Sequence, residues 1–353
     1  MSSFVVHRAA AAGVALLAIG FFTWQMSAQS TPPPGQQDQT TSQAQANQEP
    51  TITVNVELVN ILFTVRAKKG GQLIPNLTKD DFKIYEDGKE QTIQRFARET
   101  DLPLTLGLLI DISASQERLI DIERQAASSF FSSVIRPKDE AFLISFGKST
   151  DLLQDYTSSP RLLTSALRDL RGDGEPAAIR GTIPNTGPVP TMGTPKGTLL
   201  FDAVYLASDE KLKGEVGRKA LILITDGEDQ GSTYDRRTAI EAAQKADAII
   251  YSIYYVDRGF YVSNGMFGGG GEGDLRKMSE ETGGHVFTVS GKHPLNEVFN
   301  EIQNELRNQY SIAYRPTNAK RDGSFRHIEI KVDNADDRVQ ARSGYYATPN
   351  DEQ

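Results

Sequence analysis

The sequence predicts an α/β protein: a doubly wound, mainly parallel sheet inserted in a small β-sandwich. Three observations predict it. Between residues 101 and 309, short apolar runs alternate with segments whose apolar residues recur at helical spacing, as strand–helix repeats do when helices cover a sheet on both faces. The run LPLTLGLLI at 102–110 is almost continuously apolar, as a strand buried on both faces must be. Strand-like text lies at both ends, over 51–100 and again over 310–348, and neither stretch has enough strands to be stable alone. One sandwich built from both ends, with the α/β part set into a loop, resolves this, because domain termini often lie close together.

The first thirty residues have their own logic. His7 and Arg8 precede the apolar run AAAAGVALLAIGFFTW at 9–24, and Met26-Ser27-Ala28 follows as a small-residue exit. A positive start, an apolar centre and a cleavable exit form the layout of a secretory signal. The run falls short of the ~20 residues that a spanning helix needs. Residues 1–28 are therefore expected to be a signal peptide or an N-terminal membrane anchor, and the protein to be exported, periplasmic or secreted. Residues 29–50 carry almost no apolar side chains and read as a disordered Gln/Pro-rich linker.

The remaining elements follow in order. ITVNVELVNILFTVR at 52–66 alternates and is rich in β-branched residues, which predicts a strand. Asp87-Gly88 sits between two strand-like runs and predicts a hairpin turn. After the strand at 102–110, a helix is expected over 117–135, with Leu119, Ile122, Ala126, Phe130 and Val134 on one face. Strands are expected over 141–146, 220–227 and 249–256, and helices over 162–171, 198–212, 238–248, 274–284 and 295–309, the 274–284 helix ending on glycine. HVFTVS reads as a strand, and YSIAYRP, FRHIEIKV and VQARSGYYA return the chain to β structure. Two insertions interrupt the pattern. Residues 172–197 are rich in Gly, Pro and Thr and read equally as a surface loop or a specificity loop. Residues 257–274 place Phe260, Tyr261 and Phe267 beside a glycine run, and read as a mobile loop or an exposed contact patch.

Composition narrows the chemistry. The 353 residues carry a formal net charge of -8, and no basic cluster offsets it. That balance argues against a nucleic-acid partner, whose binding is driven by Lys and Arg. There are no cysteines, which excludes disulfides, thiolate metal sites, thiol catalysis and a lipidated N-terminal cysteine. The four histidines are scattered and form no HExxH pattern.

In open α/β sheets, ligands bind at the carboxyl ends of the strands. Three oxygen-rich loops are expected there. The first strand ends in Asp111-Ile112-Ser113-Ala114-Ser115, a later loop carries Gly197-Thr198, and the fourth strand ends in Thr225-Asp226-Gly227. One carboxylate and two hydroxyls at alternate positions are hard donors suited to Mg²⁺, Mn²⁺ or Ca²⁺. The first loop alone reads as readily as helix capping by Ser113 and Ser115. An enzyme is the rival reading, but no GxSxG, Walker or GxGxxG sequence sits at a strand–helix turn, and Ser113 stands where a phosphohydrolase would place a second Asp. A structural envelope protein that uses no metal is the third reading.

Taken in order, Asp111, Ser113, Ser115, Thr198 and Asp226 resemble the metal-ion-dependent adhesion site of von Willebrand factor A domains, over roughly residues 101–309. With LTKDDFKIYEDGKEQ before it and QYSIAYRP and GYY after it, the chain is similar to the exported bacterial proteins with a VWFA-related domain known mainly from acidobacteria. The resemblance implies that these five residues are metal ligands, directly or through water, with Mg²⁺ favoured over Mn²⁺ or Ca²⁺. It implies an open coordination position that a carboxylate of a protein partner fills. It also implies an adhesion-type binding module of the cell envelope, not an enzyme, that meets the membrane only through its N-terminal segment.

Overall fold

A strand with apolar side chains on both faces needs a helical layer on each side, and the computed structural model supplies both. It describes residues 58–98, 102–173, 197–263 and 270–347, all within the compact unit Asn55–Gln353. The expectations for residues 1–28 and 29–50, and for all but the ends of 172–197, lie outside the described residues.

The chain runs through β1 (Val59–Ala67), a 3-10 turn at Lys79–Asp81, β2 (Phe82–Glu86), β3 (Lys89–Gln91) and β4 (Ile93–Arg98) before entering the α/β layer. There follow β5 (Leu104–Asp111), α1 (Ile120–Val134), β6 (Glu140–Phe146), β7 (Thr150–Thr157), α2 (Pro160–Arg168) and α3 (Leu200–Leu206), which runs on as a π-helical segment, Ala207–Leu212. Next come β8 (Arg218–Thr225), α4 (Arg236–Lys245), β9 (Ala248–Tyr254), α5 (Arg258–Ser263), α6 (Glu272–Thr282), β10 (Val286–Thr288) and α7 (Leu295–Arg307). The chain returns through β11 (Tyr310–Tyr314), β12 (Phe325–Val332), β13 (Asp337–Ala341) and β14 (Gly344–Tyr346).

The central sheet has the order β10-β9-β8-β5-β6-β7. All its pairs are parallel except β6 with β7. Alternate residues of the buried strands feed two separate cores. Leu106, Leu108, Ile222 and Ile224 pack with α1, α2 and α7 on one face. Leu109, Leu221 and Leu223 pack with α3, α4 and α6 on the other. Across the first face, Phe130 of α1 stacks on Phe299 of α7 with centroids 4.5 Å apart, a contact worth about 1 kcal/mol beyond its area.

The flanking β segments pair with each other, so chain from before and after the α/β layer shares two antiparallel sheets, ordered β13-β1-β11-β4 and β14-β12-β2-β3. Between them lies a third core built on Phe63, Phe82, Ile84, Tyr310 and Ile312. Asp87 and Gly88 turn the β2–β3 hairpin with φ of 47° and 78°, the positive pair that a two-residue turn requires. In the last turn of α7, Glu305 pairs with Arg66 of β1 and so fastens the helix to the sandwich.

Several expectations need correction. The strand expected over 220–227 is β8, which stops at Thr225 and leaves Asp226 and Gly227 in the loop. The helix expected from 117 begins at Ile120, and its buried face carries Ile120, Glu123, Ala127, Phe130 and Val134. Ile122, expected inside, is 51% exposed. β7 has no counterpart in the sequence reading, because an edge strand that is half exposed on both sides shows no clean alternation. The insertion at 257–274 contains α5 and the start of α6, and 264–269 lie outside the described residues.

Candidate metal site

The sheet topology makes one special crevice. From β5 the chain crosses α1 to β6 on one side, whereas β8 lies against the other side of β5. The helix after β5 packs on one face of the sheet and the helix after β8 packs on the opposite face. The loops leaving β5 and β8 therefore diverge, and such a switch point is where ligands bind in open α/β sheets. Asp111 ends β5, and Asp226 follows β8 directly.

Asp111 is fully buried and organises both loops. Its Oδ1 accepts the Ser113 N–H at 2.9 Å, and its Oδ2 accepts the Thr225 hydroxyl at 2.6 Å. The Gly227 N–H donates in turn to Thr225 Oγ1 at 3.0 Å. The first loop closes on itself through the Gln116 N–H, which donates to the Ser113 carbonyl at 2.9 Å. This turn brings Ser113 Oγ and Ser115 Oγ to 3.1 Å from each other. Two oxygens at right angles around an ion ~2.1 Å away lie about 3 Å apart, so this spacing suits neighbouring ligands of one octahedral cation.

Asp226 is buried, and its Oδ1 accepts the Glu228 N–H at 3.2 Å. Thr198 is buried too, and its loop is tied in through the backbone. Its carbonyl accepts the Gln230 N–H at 2.8 Å, and the next N–H, of Leu199, donates to Gly147 O beyond β6 at 2.9 Å. Among the described residues the Thr198 hydroxyl has no hydrogen-bond partner. Thus Asp111, Ser113 and Ser115 are linked by direct contacts, Asp226 joins them through the Thr225–Gly227 turn, and Thr198 is held beside Gln230 with no side-chain bond to the other four.

Two residues that the sequence reading did not assign to the site belong to its surroundings. Glu123 of α1 is fully buried, and neither of its carboxyl oxygens has a hydrogen-bond partner among the described residues. Reading the helical period from Ile120 instead of Leu119 would have turned Glu123 inward. Tyr261 of α5, grouped in the sequence with exposed loop aromatics, is instead only 8% exposed. Its hydroxyl donates to Asp226 Oδ2 at 2.8 Å.

The electrostatics are one-sided. Burial, and then repulsion from Asp226, push the Asp111 carboxyl up to about 7, against the hydrogen bonds that lower it. Burial, then Asp111 and Asp226, push Glu123 well above the ordinary glutamate range. Each charged neighbour acting on these two acids is another carboxylate. Burial and Asp226 also raise the Tyr261 phenol, which keeps it a hydrogen-bond donor. No group of three or more His, Cys, Asp or Glu suited to a metal occurs among the described residues. The candidate donors carried by these loops are instead the carboxylates of Asp111 and Asp226 and the hydroxyls of Ser113, Ser115 and Thr198, all hard oxygens, which suit a hard divalent cation and not a soft one.

No protein-family model matches the chain, and no curated protein matches it in sequence. Solved structures are similar to it over part of its length. BatB of Bacteroides thetaiotaomicron, a conserved hypothetical protein, is 18% identical with a TM-score of 0.39, over 57% of this chain and 97% of its own. The PilB minor pilin of Streptococcus sanguinis is 12% identical with a TM-score of 0.41, over 62% of this chain and 64% of the pilin. Proximal thread matrix protein 1 of the mussel byssus, in a structure with a zinc-occupied MIDAS motif, is 14% identical with a TM-score of 0.42 over 63% of this chain. That likeness spans 49% of the byssus protein.

Proposed function

We propose that this chain is a divalent-cation-dependent binding module. Asp111, Ser113, Ser115, Thr198 and Asp226 would hold Mg²⁺, with Mn²⁺ or Ca²⁺ as substitutes. The ion would supply an electrophilic position that a carboxylate of a protein partner completes. One observation carries this reading. Asp111 and Asp226 lie at the ends of the paired strands β5 and β8, and the only charged neighbours that act on the buried Asp111 and Glu123 are carboxylates. A folded protein pairs buried charge or binds a cation to it. The Ser113 and Ser115 hydroxyls, 3.1 Å apart, support it by offering a pair of neutral oxygens, and the Thr198 hydroxyl would add a third.

The protein's own residues divide the work. Asp111 accepts two hydrogen bonds already, so it fixes the loop and sets the charge. Ser113 and Ser115 present oxygens that add no charge, which leaves an ion strongly attracting toward an acid from outside. In this reading the N-terminal segment exports the module, so that it acts at the cell envelope. Among the described residues no helix is long and apolar enough to cross a membrane.

Retention of the full chain on immobilised polyglutamate tests the proposal. The chain carries a net charge of -8, so plain ion exchange opposes retention on a polyanion. Retention in millimolar Mg²⁺, release by EDTA, and loss of retention in the Ser113→Ala/Ser115→Ala variant are expected. Retention that ignores EDTA, or that the double variant keeps, would overturn the reading.

A further inference from the structure

Among the described residues, one side chain of α5 reaches a candidate ligand. Tyr261 is the one buried residue of α5, a helix of six residues. A helix this short has little stability of its own in water. Two things seat it. The Asp257 carboxylate accepts the Gly259 N–H at 2.8 Å and the Phe260 N–H at 3.3 Å at its start. Tyr261 reaches into the crevice, where its hydroxyl donates to Asp226 Oδ2 at 2.8 Å. Val262 and Ser263, which follow, are exposed. The contact that holds α5 down is thus made to a candidate ligand. An oxygen bonded to Asp226 Oδ2 takes up a carboxylate oxygen that a cation would otherwise use.

We propose that Tyr261 is an in-chain occupant of this site: its phenol holds Asp226 while no cation is bound, and yields it when one binds, so that cation loading unseats Arg258–Ser263. The inference rests on the cation reading above and adds a competitor and a moving part to it. Its chemistry is an exchange of hydrogen bonds. Asp226 Oδ2 gives up a neutral phenol donor, and the phenol turns to solvent. A partner would then meet a crevice from which Tyr261 has withdrawn, and α5 would report loading at the protein surface.

Isothermal titration of the full chain with Mn²⁺ tests the competition, and amide exchange over 258–263 tests the motion. Tyr261→Phe keeps the ring and removes only the hydroxyl, so the fold is retained, as a melting curve in EDTA checks. A hydrogen bond to a charged group is worth ~1.5–3 kcal/mol, so Tyr261→Phe is expected to bind Mn²⁺ about tenfold or more tighter. In the wild type, exchange over 258–263 should quicken on adding Mn²⁺. In the variant it should be fast from the start. Equal or weaker Mn²⁺ binding by Tyr261→Phe, or exchange that ignores the cation, overturns the inference and leaves the cation site standing. Absence of Mn²⁺ binding in both proteins overturns the site itself and this inference with it.

Discussion

Asp111→Asn is expected to stabilise the chelated protein at pH 8 and to erase its response to Mg²⁺. The Asp111 carboxyl is held at about 7, against an ordinary value of 3.8, first by burial and then by Asp226. Below about pH 4 this group is protonated whether the chain is folded or not, and it costs no stability. As pH rises from about 4 to 7, the unfolded chain releases the proton while the folded protein keeps it, so stability falls. Above 7 both states are ionised and the loss is complete, on the order of 4 kcal/mol. Glu123, raised in the same direction by burial, Asp111 and Asp226, deepens the decline. Asparagine still accepts the Ser113 N–H but carries no charge.

In EDTA, then, the wild type should melt progressively lower between pH 4 and pH 7, and the variant should escape most of that fall. At roughly 2–4 °C per kcal/mol for a domain of this size, the gap at pH 8 is on the order of 10 °C. Saturating Mg²⁺ should raise the wild type by ~2.7 kcal/mol at a hundred times its dissociation constant, and leave the variant unmoved. A variant that melts no higher than wild type in EDTA, or that still responds to Mg²⁺, contradicts this account of the charge.

Gly271→Ala is expected to cost more than any single loss of a ligand. Gly271, at the start of α6, lies directly against the loop that carries Asp226. A Cβ on Gly271 would stand 2.1 Å from the Gly227 carbonyl carbon and 2.5 Å from the Asp226 carbonyl oxygen. Those are backbone atoms, which cannot turn aside as a side chain does. Gly227 faces the same contact with φ of 80°, so neither glycine accepts a side chain. Separating the two segments should cost about 3 kcal/mol or more and carry Asp226 away from Ser113 and Ser115. Gly270→Ala is the control, because its Cβ would meet only the end of the Glu228 side chain, at 3.2 Å. That change should stay within about 0.5 kcal/mol of wild type in urea unfolding and should keep the Mg²⁺ response. Equal stability of the two variants would mean that this glycine contact does not position Asp226.

Which features the sequence made legible follows from how local their causes are. β5 could be read because a strand covered on both faces leaves an unbroken apolar run, and Leu104–Asp111 is buried at every position. The β2–β3 turn could be read because Asp87-Gly88 is a two-residue solution to a local backbone problem. The insertion of the α/β layer was legible only by elimination, since pairing of β1 with β11 depends on residues some 250 positions apart. Glu123 stayed hidden because a carboxylate on the buried face of a helix contradicts the apolar pattern used to find that face. Tyr261 stayed hidden because its burial is owed to Asp226, a partner 35 residues earlier, and not to its own glycine-rich neighbours. The contact between Gly227 and Gly271 likewise joins two loops that nothing in the local sequence connects.

The most direct measurement is a crystal structure of the full chain grown with Mn²⁺, with data collected to locate the ion by its anomalous scattering. The account predicts one strong peak at the carboxyl ends of β5 and β8, within direct coordination distance of the Ser113 and Ser115 hydroxyls and within direct or water-bridged reach of Asp111, Thr198 and Asp226. Crystals saturated with Mn²⁺ that show no peak between those loops, or a peak held by other residues, would contradict it.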